Sequence, residues 1–157
     1  MGFLSVLSKI RYPAIASIAT IGLIDALYLT VKHLNGEMVK CTVTSGCDEV
    51  LSSPYASIAG IPLSFLGLGA YAVVFSLGVL ASFGYGVAVK LMTPLIVLML
   101  LMTCWLIYVQ SAILEHFCQY CLISAAVTFS IAILSLPPVI SSILGSKSKR
   151  LNSAPEP

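Results

Sequence analysis

The sequence predicts an all-α membrane protein: a bundle of four transmembrane helices with a long extracytoplasmic loop capping its outer end. Three observations carry that reading. Of the 157 residues, 59% are hydrophobic and only 9% are charged, against about a quarter charged in a soluble domain. Apolar stretches of roughly 18 residues or more, the length that marks a membrane span, recur along the chain. Between them lie one long polar connection and two short turns. The small net charge of +2 gives no indication of nucleic-acid binding; its distribution bears on orientation instead.

Residues 1–12 form a short basic segment with the character of an interfacial helix. Lys9 and Arg11 precede the first apolar run, but that run is long enough to span. No small-residue cleavage site follows it, so a removable signal is not expected. The first span runs from about Pro13 to Val31, with Pro13 suited to a helix's first turn. Gly22 and Ala26 are a small-xxx-small pair that lets a neighbouring helix approach. Asp25 lies deep in this span. An intramembrane carboxylate invites a functional reading. A protonated or hydrogen-bonded side chain is the preferred one, because the helix rise of about 1.5 Å per residue separates Asp25 from the cysteines.

Residues 32–61 are a polar-to-mixed connection that carries Cys41 and Cys47. It is far longer than the roughly 2–8 residues typical of a helix-bundle turn, so a lid or docking surface is expected. Asp48 and Glu49 can open a short helix, which Pro54 would limit. Tyr55, Ile58 and Ile61 give the connection an apolar side. The second span runs from about Pro62 to Ala81, with Gly67, Gly69 and Ala70 as helix-packing residues. Ser82 to Gly86 reads as a turn.

The third span covers about Val87 to Ile113, with Pro94 a candidate kink and Cys104 expected as a small buried hydrophobe. Glu115-His116-Phe117 is a very short turn. The fourth span starts at about Cys118 and reaches roughly Leu136, where Pro137-Pro138 should stop or kink it. The membrane domain is thus taken as residues 13–144, and residues 145–157 as a disordered polar tail.

With four spans, both termini and the turn after the second span share one side. That side holds Lys9, Arg11, Lys90, Lys147, Lys149 and Arg150, whereas the other holds only Lys32 and Lys40. Basic residues collect on the cytoplasmic face, which places the termini in the cytoplasm. Cys41, Cys47, Cys118 and Cys121 then all lie at the opposite end, in a compartment that permits disulfides.

Those four cysteines admit three uses. They can form a redox relay of two exchanging pairs, a zinc site, or two structural staples. Exchange needs a thiolate that attacks a disulfide sulfur. Cys118 stands at a helix start, where unpaired N–H groups and the helix dipole favour a thiolate. A Cys-x5-Cys spacing is not the usual short zinc-ligand pair. A disulfide within Cys118-x-x-Cys121 closes too small a loop to stabilise much, so reactivity explains that pair better than stapling. A relay also needs a terminal acceptor, and the outer end of an apolar bundle is a natural entrance for a lipid-soluble quinone. Phe65, Phe117 and Tyr120 are candidate lining residues.

Taken together, Cys41-x5-Cys47, Ser53 six residues on, and Cys118-x-x-Cys121 at the head of a late span resemble the vitamin K epoxide reductase family. Tyr28-Leu29-Thr30, Leu51-Ser52-Ser53-Pro54, Gly60-Ile61-Pro62-Leu63 and Phe65-Leu66-Gly67 are similar to its microbial branch. The resemblance covers roughly residues 13–136. It implies a four-helix bundle around a quinone (ubiquinone, menaquinone or a vitamin K-like quinone), in a prokaryotic cell membrane. In it, Cys121 reacts with the quinone, Cys118 is its partner and exchanges with Cys47, and Cys41 takes electrons from a thioredoxin-like protein outside the membrane. Ser53 would help hold the cap over the site. The animal enzymes' quinone-contacting asparagine has no counterpart in Ser64-Phe65-Leu66-Gly67, and their tyrosine after the Cys-x-x-Cys falls on Ala125. The length of the chain leaves no room for the fused thioredoxin-like domain of many microbial relatives, which implies a separate DsbA-type partner. The implied activity is thiol oxidation: re-oxidation of that partner, with electrons passed to the quinone in support of disulfide formation. The competing readings are an unrelated DsbB-type quinone oxidase and a disulfide-stapled membrane scaffold or transporter without redox activity.

Overall fold

The computed structural model describes the backbone of residues 2–44 and 46–151, and the side chains of residues 10–44 and 46–135. Four long helices pack in a ring. Helix α1 (Gly2–Leu34) lies against α3 (Leu63–Ser82) and α5 (Gln119–Leu151), while α4 (Gly86–Tyr108) closes the ring between α3 and α5. Ile15, Ala19, Tyr71, Val74, Met92, Ile96, Val127 and Ile131 meet along its axis. Among the described residues, three segments are long and apolar enough to cross a bilayer: Ile10–Leu34, Leu63–Ser82 and Gly86–Ile113. The apolar part of α5, Gln119–Ser135, is shorter. Ile21, Ile24, Leu27, Val73, Leu98, Leu101 and Ile133 are exposed on the outside of the ring. Apolar cover of that extent suits lipid, not water.

Small residues set the approach of α1 to α3. A Cβ on Gly22 would stand 2.5 Å from the Tyr71 ring. One turn on, Ala26 faces Gly67, and further down Gly78 faces Ala16 at 3.3 Å from where its Cβ would be. Gly69, expected in this seam, is exposed and has nothing within reach of an added Cβ. Gly22→Ala should therefore force the Tyr71 ring aside at a cost of about 1–3 kcal/mol, the usual range for overpacking. Thermal unfolding in detergent should show a lower Tm, and an unchanged Tm would contradict this packing.

Several boundaries differ from the sequence expectation. Helix α1 begins at Gly2 and carries Pro13 inside it instead of starting there. A proline removes one hydrogen bond to the preceding turn, and in an apolar helix the rest of the ladder holds. Helix α5 likewise runs through Pro137-Pro138 to Leu151, into the expected tail. Residues 152–157 of the expected tail lie outside the described residues. Cys104 is free and exposed on the outer face of α4, not buried as expected. A lipid-facing position asks for the same apolar character as a core position, so the sequence does not separate them.

The long connection folds as expected in its middle. Helix α2 (Cys47–Ser52) opens with Asp48 and Glu49 in its first turn, and a 3₁₀ turn starts at Pro54. A two-residue hairpin follows, with β1 (Ser57–Ile58) paired to β2 (Ile61–Pro62). Its loop residues Ala59 and Gly60 have φ of 52° and 82°, the sign that a tight hairpin turn requires at both positions. The turn after α3 closes on Gly84 at φ 92°, the usual helix-ending conformation.

Candidate redox site

The four cysteines expected to act together are gathered at one end of the bundle. Leu29, Val39, Cys47, Val50 and Cys118 form a second small core beneath the connection, with Cys41, Leu51, Tyr120 and Cys121 packed against it. Cys41 and Cys47 are joined as a disulfide with Cα atoms 5.6 Å apart, so those sulfurs are not free thiolates for a zinc ion. Cys118 and Cys121 are free thiols. The sulfurs of Cys41, Cys47 and Cys118 all lie within 4.8 Å of one another. Cys47 and Cys118 are buried, while Cys41 is partly exposed.

Local structure aims Cys118 at the disulfide. The end of α4 widens into a π-helical turn, Val109–Ile113, which turns Gln110 inward until it is 1% exposed. The backbone N–H of Cys118 donates to Gln110 Oε1 at 3.0 Å. Cys118 in turn caps α5: its carbonyl accepts from the N–H of Leu122 at 3.0 Å, so its thiol stands at the N-terminus of that helix. Donors at a helix N-terminus are the environment that favours a thiolate. Cys121, one turn along, packs against the small core that contains Cys118.

The cap is held by polar contacts from the short turn and the head of α5. Gln119 Oε1 accepts from the N–H groups of Thr42 and Val43 at 3.0 and 2.9 Å, and from the Thr42 hydroxyl at 3.2 Å. The Thr44 hydroxyl donates to Cys41 Sγ at 3.0 Å. His116 Nε2 lies 2.7 Å from Glu49 Oε2, tying the turn to α2. Ser53 donates to the Val50 carbonyl at 2.7 Å, closing the end of α2. Gln110 and Gln119 escaped sequence reasoning, although Gln119 sits inside the Cys-x-x-Cys itself. Its amide matters only because residues 42 and 43, far away in the chain, fold onto it.

Gly46 marks the closest approach of cap and turn. A Cβ there would stand 2.6 Å from His116 Cβ and 3.2 Å from the Phe117 nitrogen. Gly46→Ala should lift the cap from Cys118. The expected result is alkylation of Cys118 by N-ethylmaleimide at least about tenfold faster, a factor that corresponds to roughly 1.4 kcal/mol of lost docking. Peptide mass spectrometry reads this directly, and unchanged protection would show that the cap does not shield Cys118.

Beneath the cap lies a cavity of about 340 Å³. Leu29, Val50, Leu106, Ile107, Leu114 and Ala125 supply apolar wall, and Asp25, Ser53, Tyr71, Ser124 and Cys121 supply polar groups. Cys121 thus faces two ways, toward Cys118 on one side and into the cavity on the other. The three aromatic residues expected around an acceptor do not line this cavity. Phe65 and Phe117 are 50% and 44% exposed. Tyr120 stacks on Tyr28 with ring centroids 5.3 Å apart. Ser53 does line it, as do Ser64, Gly67 and Ala125. Asp25, expected to be remote from the cysteines, shares the cavity wall with Cys121.

The fold and the site define a class: an apolar helical bundle that carries a disulfide and a free dithiol side by side at one end, over a partly open cavity. Residues 13–136 match the model of the vitamin K epoxide reductase family, and the chain belongs to that family. It is also similar to the thiol-disulfide oxidoreductase LTO1 of Arabidopsis thaliana, with 30% identity over 126 residues. That match takes in 74% of this chain and 34% of the plant protein, so the chain spans about a third of the length of that relative.

Proposed function

We propose that this protein is a membrane thiol oxidase. It re-oxidises a thioredoxin-like dithiol protein outside the cytoplasm and passes the two electrons through Cys41/Cys47 and Cys118/Cys121 to a membrane quinone. The observation that carries the reading is the unbroken line of sulfur from surface to cavity. Cys41 is reachable from outside, Cys47 is buried beside Cys118, and Cys121 opens on the cavity.

Each step conserves electrons. The partner's dithiol attacks the outer disulfide at Cys41 and leaves as a disulfide, with Cys41 and Cys47 reduced. Cys47 then attacks Cys118 when Cys118 and Cys121 are joined, and Cys41 completes the exchange, which moves the dithiol inward. The pairing in the structure, outer pair oxidised and inner pair reduced, is the state that follows this transfer. Oxidation of Cys118 and Cys121 back to a disulfide delivers two electrons and two protons to the acceptor. The protein's part is to hold the sulfurs in register, keep water from the buried pair, and seat the acceptor against Cys121. A volume of about 340 Å³ with mostly apolar walls and a few polar groups suits a quinone ring. Ser53, which lines that volume, would anchor the cap above the ring. The basic residues at both chain ends favour cytoplasmic termini and a sulfur cluster on the outer side.

The direct assay is quinone reduction by the purified protein with a reduced thioredoxin-like protein as donor. Turnover is expected, and it should be lost on Cys118→Ala. A disulfide-stapled scaffold predicts no turnover at all. The free Cys118 and Cys121 thiols beside a formed disulfide speak against that alternative, since a staple has no use for an adjacent dithiol.

A further inference from the structure

Asp25 belongs to none of the steps above, yet it stands in the cavity. It lies on α1 nine residues before the helix end at Leu34, and Ala26, Leu29 and His33 line the same cavity from the same helix. Its side chain therefore turns toward the cavity and away from lipid. It has no hydrogen bond or ion pair with any described side chain. Carboxyl groups within a membrane span are costly and are kept where they serve a purpose.

The neighbouring acids are differently placed. Tyr71, across the cavity on α3, shares its hydroxyl with the Ser124 carbonyl, the Ser124 hydroxyl and the Thr128 hydroxyl at 2.8–2.9 Å, so its proton is committed. Glu37 is paired with Lys32. His33, Glu37, Asp48 and Tyr55 all reach the cavity from the cap end, whereas α4 contributes no ionisable group to it. Asp25 is left as the uncommitted proton carrier in the inner part of the cavity that holds Cys121.

We infer that Asp25 is the general acid for reduction of the electron acceptor, an inference that rests on the function proposed above. Cys118 and Cys121 together lose two protons and two electrons as their S–S bond forms. The quinone gains both electrons and two protons and leaves as the quinol. Asp25 gives one proton to a quinone oxygen and recovers one from the thiol pair, so it ends the cycle unchanged. Without such a carrier, charge would build on oxygen against mostly apolar walls, where it is poorly stabilised.

The test uses the full-length protein in detergent, menadione as acceptor and dithiothreitol as donor, and compares wild type with Asp25→Asn and Asp25→Glu. Asparagine keeps the shape but cannot donate a carboxyl proton. Menadione reduction by Asp25→Asn should fall about 100-fold, the scale of a lost general acid, with partial recovery in Asp25→Glu. Exchange between the outer and inner cysteine pairs, followed by quenched alkylation, should keep its wild-type rate. Menadione affinity by equilibrium dialysis should change by less than about threefold. Infrared difference spectra on menadione binding should show a carboxyl band that Asp25→Asn removes. Wild-type-level reduction by Asp25→Asn would overturn the inference while leaving the proposed function standing. So would a parallel loss of cysteine exchange or of menadione binding, because the residue would then be structural. A wild-type protein that fails to reduce menadione would overturn both.

Discussion

Cys121→Ala should stop quinone reduction, to below about a thousandth of the wild-type rate, and at the same time trap the relay half-way. With Cys121 gone, Cys118 has no inner partner, and only the reverse attack by Cys41 can open a bond it makes to Cys47. The Cys118 sulfur lies within 4.8 Å of those of both Cys41 and Cys47, and it stands at the N-terminus of α5. It is expected to attack the buried Cys47 side of the outer disulfide and release Cys41 as a free thiol, whose alkylation then holds the Cys47–Cys118 bond in place. That exchange makes one S–S bond and breaks one, so no outside oxidant is needed. The large rate loss is that of removing an essential nucleophile. Trimming a partly buried thiol to a methyl group costs only about 1 kcal/mol of stability, so the fold should persist. Peptide mapping without reductant should find a Cys47–Cys118 pair. A Cys41–Cys118 pair, or an intact outer disulfide beside a free Cys118, would contradict the order of transfer.

Cys41→Ala should separate two kinds of donor. Cys41 is the outer member of its pair, partly exposed, while Cys47 is 1% exposed. A folded protein donor can reach only the former. With Cys41 removed, turnover driven by a thioredoxin-like protein is expected to fall at least about 100-fold. Turnover driven by dithiothreitol, small enough to reduce the inner pair directly, should fall less than about tenfold. Equal losses with both donors would remove the entry role from Cys41. Cys104→Ala, a change on the lipid-facing surface of α4, should leave both rates unchanged.

The cysteine cluster was readable in the sequence because spacing and topology reinforce one another. A Cys-x-x-Cys at the head of an apolar run, and a second pair in the long connection, fall at the same end once the spans are counted. The acids Asp48 and Glu49 in the first turn of α2, its limit at Pro54 and the turn at Gly84 were legible for local reasons, since charge at a helix start, proline geometry and glycine's freedom act within a few residues. The cavity wall was not legible. Helices α3 and α4 are apolar all round, so their sequences carry no phase that tells lipid from core. Ser64, Gly67 and Tyr71 share the face that lines the cavity, whereas Phe65 lies off it and is half exposed.

Asp25 was misplaced for a related reason. Along α1 alone, a rise of about 1.5 Å per residue sets Asp25 well below the end of the helix. The cavity itself descends into the bundle to meet it, and nothing local to the sequence reports a void. The Ala59-Gly60 turn was hidden because alanine seldom takes a positive φ. Gln110 and Gln119 were hidden because their partners are chosen by the tertiary fold.

The central claim is that the two cysteine pairs form one conduit that ends at a quinone beside Cys121. A single anaerobic turnover tests it most directly: protein with all its cysteines reduced, mixed with excess menadione, then quenched and mapped. The prediction is two quinols formed per chain, one for each cysteine pair, with Cys41–Cys47 and Cys118–Cys121 recovered as disulfides. Menadione left unreduced with the thiols intact would contradict it, as would oxidation that runs equally well in Cys121→Ala.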